Sequence, residues 1–213
     1  MYVVYSPKEE LKDFALAISV LVVTFLLIYL PASPSIILIP YIIGGVLSGF
    51  LFHELAHRMT ARKLGYIAFF RAWKLGLAIS LLTAIAVAML EYVGIILPII
   101  FLAPGAVYIY PSPMTIKSPR EIVQDEFLIA SAGPITNIVI AAASYALSFI
   151  PSIYLRLMIL IAQINAMLAV FNLLPLPMFD GLKVFRTNPG AWIGLFAISA
   201  ILLILSMHLT LIW

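Results

Sequence analysis

The chain contains no cysteine, which rules out disulfide bridges and any thiolate-ligated metal. Charge is nearly as scarce: Asp, Glu, Lys and Arg make up 10% of the 213 residues, and only three histidines occur, against 64% hydrophobic residues. So few charged groups cannot cover the core of a water-soluble protein, so most of the surface is expected to face lipid. No polar stretch is long enough to fold as a separate soluble domain, and residues 1–213 read as one membrane-embedded domain. The net charge of +3 is too small and too dispersed for nucleic-acid binding. A cleavable signal peptide is not expected either. Residues 8–13 mix both charges and no small-residue cleavage site clearly follows, so residues 14–30 read as a retained first span.

At about 20 apolar residues per crossing, relaxed for short helices buried in a bundle, the remaining apolar runs are 36–57, 75–90, 92–107, 127–150, 157–178 and 191–212. Pro31, Ala32, Ser33 and Pro34 predict a sharp turn. Arg58, Arg62 and Lys63 follow the second run, with Gly65 placed to cap its C-terminus. Phe69, Phe70, Arg71, Trp73 and Lys74 form an aromatic and basic cluster of the kind found at headgroup depth. The runs 75–90 and 92–107 are parted only by Glu91, and Pro98, Pro104 and Gly105 interrupt the second, so the pair reads as one long span or as a hairpin. Charge decides between them. With the N-terminus inside and the region crossing twice, eleven of the twelve basic residues fall on the cytoplasmic side, Arg156 being the exception. A single crossing would instead send Asp180, Lys183 and Arg186 outward, so the hairpin or re-entrant form is expected.

The chemistry is concentrated in His53-Glu54-Leu55-Ala56-His57, which ends a run with no charged residue from 14 to 52. At helical pitch His53 and His57 project from one face a turn apart, close enough to share a metal, with Glu54 beside them. Two imidazoles do not complete a catalytic zinc site, which usually takes three protein ligands and leaves one position open. His208 lies deep in the last run and Glu91 is expected at the far side of the membrane. Asp180 remains as the acid at the right depth, in Asn172-Leu173-Leu174-Pro175-Leu176-Pro177-Met178-Phe179-Asp180-Gly181. Pro175 and Pro177 break the helix there and free backbone carbonyls that only a protein- or water-lined cavity can satisfy. Two imidazoles and one carboxylate suit zinc and also non-haem iron.

With these motifs in place, the chain resembles the site-2 protease family of intramembrane zinc metalloproteases, peptidase family M50. The family pairs HExxH on one membrane helix with an N-x-x-P-x-x-P-x-D-G type sequence on a later one, seen here at 53–57 and 172–181. Ala132-Gly133-Pro134-Ile135-Thr136-Asn137 matches the Gly-Pro helix that the family carries between them. Pro175 fits the second motif, whereas the next proline is Pro177 and the aspartate comes three later. The resemblance covers about 36–186, with 75–107 as a hairpin insert. It implies a compact prokaryotic or archaeal type, since neither a PDZ domain nor a nucleotide-sensing CBS domain fits in this length.

The resemblance implies hydrolysis of a peptide bond within or near a transmembrane segment of a membrane-protein substrate. One Zn2+ per chain would be held by His53, His57 and Asp180, and Glu54 would act as base toward the metal-activated water, then as acid toward the leaving amine. Asn137, and less so Asn172, could donate to the oxyanion or to substrate backbone; a buried Asn tying helices together is the competing reading. A substrate helix must unwind before attack. The β-prone Gly105–Tyr110 could pair with it by strand addition, and the resemblance implies a membrane-associated sheet in about this place. The fold class expected is therefore an all-α polytopic membrane protein with six to seven transmembrane segments, a hairpin insert and a small β element. It would lie in the cell membrane with its N-terminus and active site toward the cytoplasm, reached through a polar cleft. A zinc or proton transporter is the rival reading, disfavoured because the ionisable residues gather near one side; intact Glu54 argues against a silent scaffold.

Overall fold

Runs of apolar residues without charge dominate the computed structural model as helices; it describes residues 6–32, 36, 38–95, 101–112, 116–150 and 155–212. The chain runs α1 (Pro7–Ala32), α2 (Leu38–Val46), a π-helical turn (Leu47–Leu51), α3 (Phe52–Lys63), β1 (Ile67–Ala72), α4 (Lys74–Tyr92), β2 (Gly105–Tyr110), α5 (Pro119–Leu147), α6 (Leu155–Asn172), α7 (Asp180–Thr187) and α8 (Pro189–Ile212). Among the described residues, five helical stretches are long and apolar enough to cross a membrane: Pro7–Tyr29, Ile39–Lys63, Lys74–Tyr92, Pro119–Leu147 and Pro189–Leu209. Leu157–Asn172 is apolar but shorter than this length. The protein is a multi-pass membrane protein, with five such helices and one shorter apolar helix among the described residues against the six to seven segments expected. The turn expected at 31–34 and the break at Pro98 fall in part or wholly outside the described residues.

In the seventh expected run, 92–107, the described residues 93–95 and 101–104 are not helical, and 96–100 lie outside the described residues. Its described residues 101–104 are irregular and lead into β2. The physical reason in the described part lies in Pro104, which has no backbone N–H to give a helix, followed by Gly105 at φ +157°. The 19 residues of α4 rise about 28 Å, and the chain from Tyr92 to Gly105 can reach at most about 43–47 Å. It therefore suffices to bring β2 back beside β1, antiparallel, in the register Ile67↔Tyr110 to Ala72↔Gly105. With β2 antiparallel beside β1, the insert ends beside the point where it began, and Lys117, just before α5, reaches the end of α3.

β1 was not expected from the sequence, because its aromatic and basic residues match a headgroup belt. Its side chains explain the masking: Ala68, Phe69 and Phe70 are all buried, so the alternation that marks a strand is absent. Phe70 stacks on Phe14 of α1 with centroids 4.3 Å apart and meets Phe50 edge-on at 5.5 Å. The outer edge of β1 is covered by side chains. Arg62 donates to the Ala68 carbonyl from two nitrogens at 3.0 and 2.8 Å, while Glu10 and Asp13 of α1 accept from the amides of Phe70 at 3.0 Å and Ala72 at 3.1 Å. These three strand residues share one side of the strand, so Ile67, Phe69 and Arg71 pair with β2, and the amides and carbonyls of Gly105, Val107 and Ile109 face away from β1. Glu10 also pairs with Arg58, Nε to Oε1 at 2.9 Å, binding α1 to α3 and to the sheet.

Helix association in lipid rests on close packing rather than on expulsion of apolar surface from water. Gly45 and Gly49 supply it on the α2 side: a Cβ at either would collide with Ile164 or Leu168 of α6. Between them Ser48 accepts from Asn165 Nδ2 at 3.0 Å, at the π-helical turn that leads into α3. α5 starts earlier than its apolar run, at Pro119, because Ser118 and Glu121 form a capping box, with Glu121 Oε2 accepting from the Ser118 amide at 2.8 Å. Lys117 then ties this start to the end of α3, donating to the Leu64 carbonyl at 2.5 Å and pairing with Asp125. Gly65, at φ +86°, turns the chain there as its C-cap role requires.

Candidate metal centre

α3 carries His53 and His57 on one face, one turn apart, with Nε2 atoms 3.0 Å from each other and both rings buried. Two imidazole nitrogens pointing at each other in a buried site need a cation or a shared proton between them. α5 shapes the other wall. Pro134 lies inside this helix, where its ring offers no N–H to the preceding turn and distorts it. In that turn the Ile129 carbonyl accepts from His57 Nδ1 at 2.6 Å. With Nδ1 donating, the lone pair of His57 Nε2 is directed at the cluster, which is the tautomer a metal ligand needs. Gly133 leaves room for both rings: a Cβ there would collide with His57 Nε2 and with Cε1 and Nε2 of His53.

Asp180 reaches the pair from α7. α6 stops at Asn172, and after the turn containing Pro175 and Pro177 the chain re-enters a helix with Asp180 in its first turn. Asp180 Oδ2 lies 3.0 Å from His57 Nε2 and 3.3 Å from His53 Nε2. Gly181 permits this approach, since a Cβ would collide with the carbonyls of Leu173 and Leu174. The Leu173 carbonyl, released where α6 ends, accepts from Trp192 Nε1 at 2.8 Å.

The donor set fits zinc. Ligand atoms about 2.0 Å from a tetrahedral zinc lie about 3.3 Å apart, and the three donor separations here are 3.0, 3.0 and 3.3 Å. Among the described residues this is the one group of three His, Asp or Glu side chains able to hold an ion. Glu91 and His208 do not belong to it.

Glu54 is buried beside the cluster and lines two cavities. One, of about 280 Å³, is bounded by His53, Phe50, Trp73 and Phe179. The other, of about 550 Å³, contains His57, Asp180, Lys183, Glu126 and Tyr66 on its walls. β2 contributes to both, through Gly105, Ala106 and Tyr108. The charged groups on the larger cavity, with Lys183 Nζ 3.9 Å from Asp180 Oδ1, suit water and peptide better than lipid. The two asparagines singled out from the sequence part company here. Asn172 lines both cavities and donates Nδ2 to the Leu168 carbonyl at 3.0 Å. Asn137 is fully buried and lines neither.

Sequence reasoning did not find the Ile129 carbonyl or Lys183. A backbone acceptor carries no residue signature, although Pro134 signals that the preceding turn is distorted. Lys183 was readable as one turn after Asp180 at i+3.

The model of peptidase family M50 matches residues 41–155. The chain is 39% identical over 188 residues, 87% of each chain, to the Methanocaldococcus jannaschii protein named "Putative zinc metalloprotease MJ0611". It is 29% identical over 171 residues, 75% of this chain and 72% of the relative, to the Bacillus subtilis protein named "Putative zinc metalloprotease YwhC". No solved structure matches it significantly.

Proposed function

The chain belongs to peptidase family M50, and from that membership we propose that it is an intramembrane zinc metalloendopeptidase cleaving a membrane-protein substrate within or near a transmembrane segment. The observation that carries the reading is the triangle of His53 Nε2, His57 Nε2 and Asp180 Oδ2, at tetrahedral ligand spacing. These three residues would hold one zinc per chain. Bound zinc would supply a Lewis acid that polarises the scissile carbonyl and makes water acidic enough to ionise near neutral pH.

The remaining work falls to the protein. Glu54 lies on both cavities, where its carboxylate can take a proton from water and return it to the leaving amine. Asn172 would donate its remaining amide N–H to the oxyanion or to substrate backbone, a reading supported by its position on both cavity walls. The free edge of β2 offers the amides and carbonyls of Val107 and Ile109 to an unwound substrate strand. β1 is unavailable for this, since Arg62, Glu10 and Asp13 cover its edge. A strand on β2 would pass beside Glu54, which shares its cavities. The basic residues beyond His57, namely Arg58, Arg62 and Lys63, favour a cytoplasmic position for this end.

An ion path has little support. Buried hydroxyls of Ser80, Ser199 and Ser206 are spent on carbonyls of their own helices, Gly76, Phe196 and Leu203. The experiment is Glu54→Gln on the purified full chain, measured for zinc content and for cleavage of a model membrane-helix substrate in liposomes. Cleavage is expected to fall about 10³-fold with zinc retained. Cleavage that persists at the wild-type rate would overturn the proposal.

A further inference from the structure

The two histidines are supported unequally. His57 Nδ1 has the Ile129 carbonyl at 2.6 Å, whereas His53 Nδ1 is buried with no hydrogen-bond partner among the described residues. Both amide atoms of Asn137 are equally bereft, on a side chain that is fully buried. A buried polar atom without a partner has given up its water for nothing in return. An asparagine that merely tied two helices together would spend its amide on a backbone group, and this one does not.

The packing of α5 on α3 brings the two orphans together. Ile129, Gly133 and Asn137 follow one another at i, i+4 and i+8 along one face of α5. Ile129 meets His57 and Gly133 abuts both rings, so Asn137, one turn beyond Gly133, stands level with His53. The helices thus run antiparallel, and Asn137 stands toward His53 as Ile129 stands toward His57. His53 Nε2 already faces the cluster, 3.3 Å from Asp180 and 3.0 Å from His57. The polar atom left for Asn137 is Nδ1.

We propose that Asn137 is a positioning residue: its Oδ1 accepts the Nδ1–H of His53 and so fixes the tautomer that turns the His53 Nε2 lone pair to the metal. Each ligating imidazole then has its own acceptor on α5, a backbone carbonyl for one and a side-chain amide for the other. The amide orientation follows from the chemistry, because a ligating His53 has only a donor to offer at Nδ1. A direct role toward substrate is disfavoured by burial, since Asn137 lines neither cavity. This inference rests on the metal-site reading above.

The test is zinc affinity of the purified full chain, by competition with a chromogenic chelator, for wild type, Asn137→Leu and Asn137→Asp, all carrying Glu54→Gln so that no turnover intrudes. The visible spectrum of the cobalt-substituted proteins reports ligand geometry independently. Asn137→Leu is expected to bind zinc 10–100-fold more weakly with an altered cobalt spectrum. Asn137→Asp, which keeps an acceptor in place, is expected to bind within about threefold of wild type or more tightly. Wild-type affinity and spectrum in Asn137→Leu would overturn the proposal, as would an equal loss in both variants. Should Asn137→Leu fail to fold, the Asn137→Asp result decides alone: retained affinity supports the role and a tenfold loss refutes it. A wild-type chain that binds no zinc would instead overturn the metal site itself.

Discussion

α5 and α8 are both long and apolar enough to cross a bilayer, yet half of the apolar stretch of α5 is buried against protein and only 11% of that of α8. Hydropathy does not separate them by role. The difference is carried by small and polar residues: α5 sets Ile129 and Gly133 against the two histidines, with Asn137 one turn further on the same face. α8 exposes Ile193, Ile198, Ile201 and Ile204. In lipid, apolar length says that a helix crosses, and close-packing residues say which face looks inward.

The comparison breaks most sharply at Gly133. Gly133→Val puts branched carbon where both imidazole rings lie, and zinc affinity, read by chelator competition, is expected to fall at least about 100-fold. A smaller effect is expected on the sheet. Val107→Pro removes an amide that faces away from β1, leaving the β1–β2 ladder intact, so cleavage of a membrane-helix substrate should weaken roughly fivefold in KM with unchanged zinc content. Tyr108→Pro strikes the ladder itself and should lower thermal stability as well; equal stability of the two variants would contradict the assigned edge. The smallest change belongs to α8. Ile204 is 67% exposed, and Ile204→Leu should leave melting temperature and activity within error, a shift of less than about 0.5 kcal/mol.

Much of this architecture can be read from the residues, and the exceptions have physical causes. Uncharged runs mark the crossing helices, and the Pro-Gly break followed by β-prone residues marks β2 at Gly105–Tyr110. Side-counting of Lys and Arg selects Asp180, whose carboxylate lies 3.0 Å from His57. β1 escapes notice because three consecutive buried side chains hide its alternation. The run 92–107 resembles a span by composition, but its described residues 101–104 are irregular and lead through Pro104 into β2. The Ile129 acceptor is a backbone atom and the π-helical turn at Leu47–Leu51 depends on Gly45, Gly49 and Ser48 packing on α6; neither has a residue pattern of its own. Relative importance of the asparagines is likewise a matter of burial, visible only once α5 is packed against α3.

Zinc K-edge X-ray absorption on the purified chain tests the centre most directly, comparing wild type with Asp180→Asn and His57→Ala. One zinc per chain is expected, with imidazole scattering from two rings and a light-atom oxygen shell, losing an imidazole in His57→Ala and binding more weakly in Asp180→Asn. A wild-type chain without zinc, or a zinc environment that neither substitution alters, would contradict the metal centre and the protease built on it.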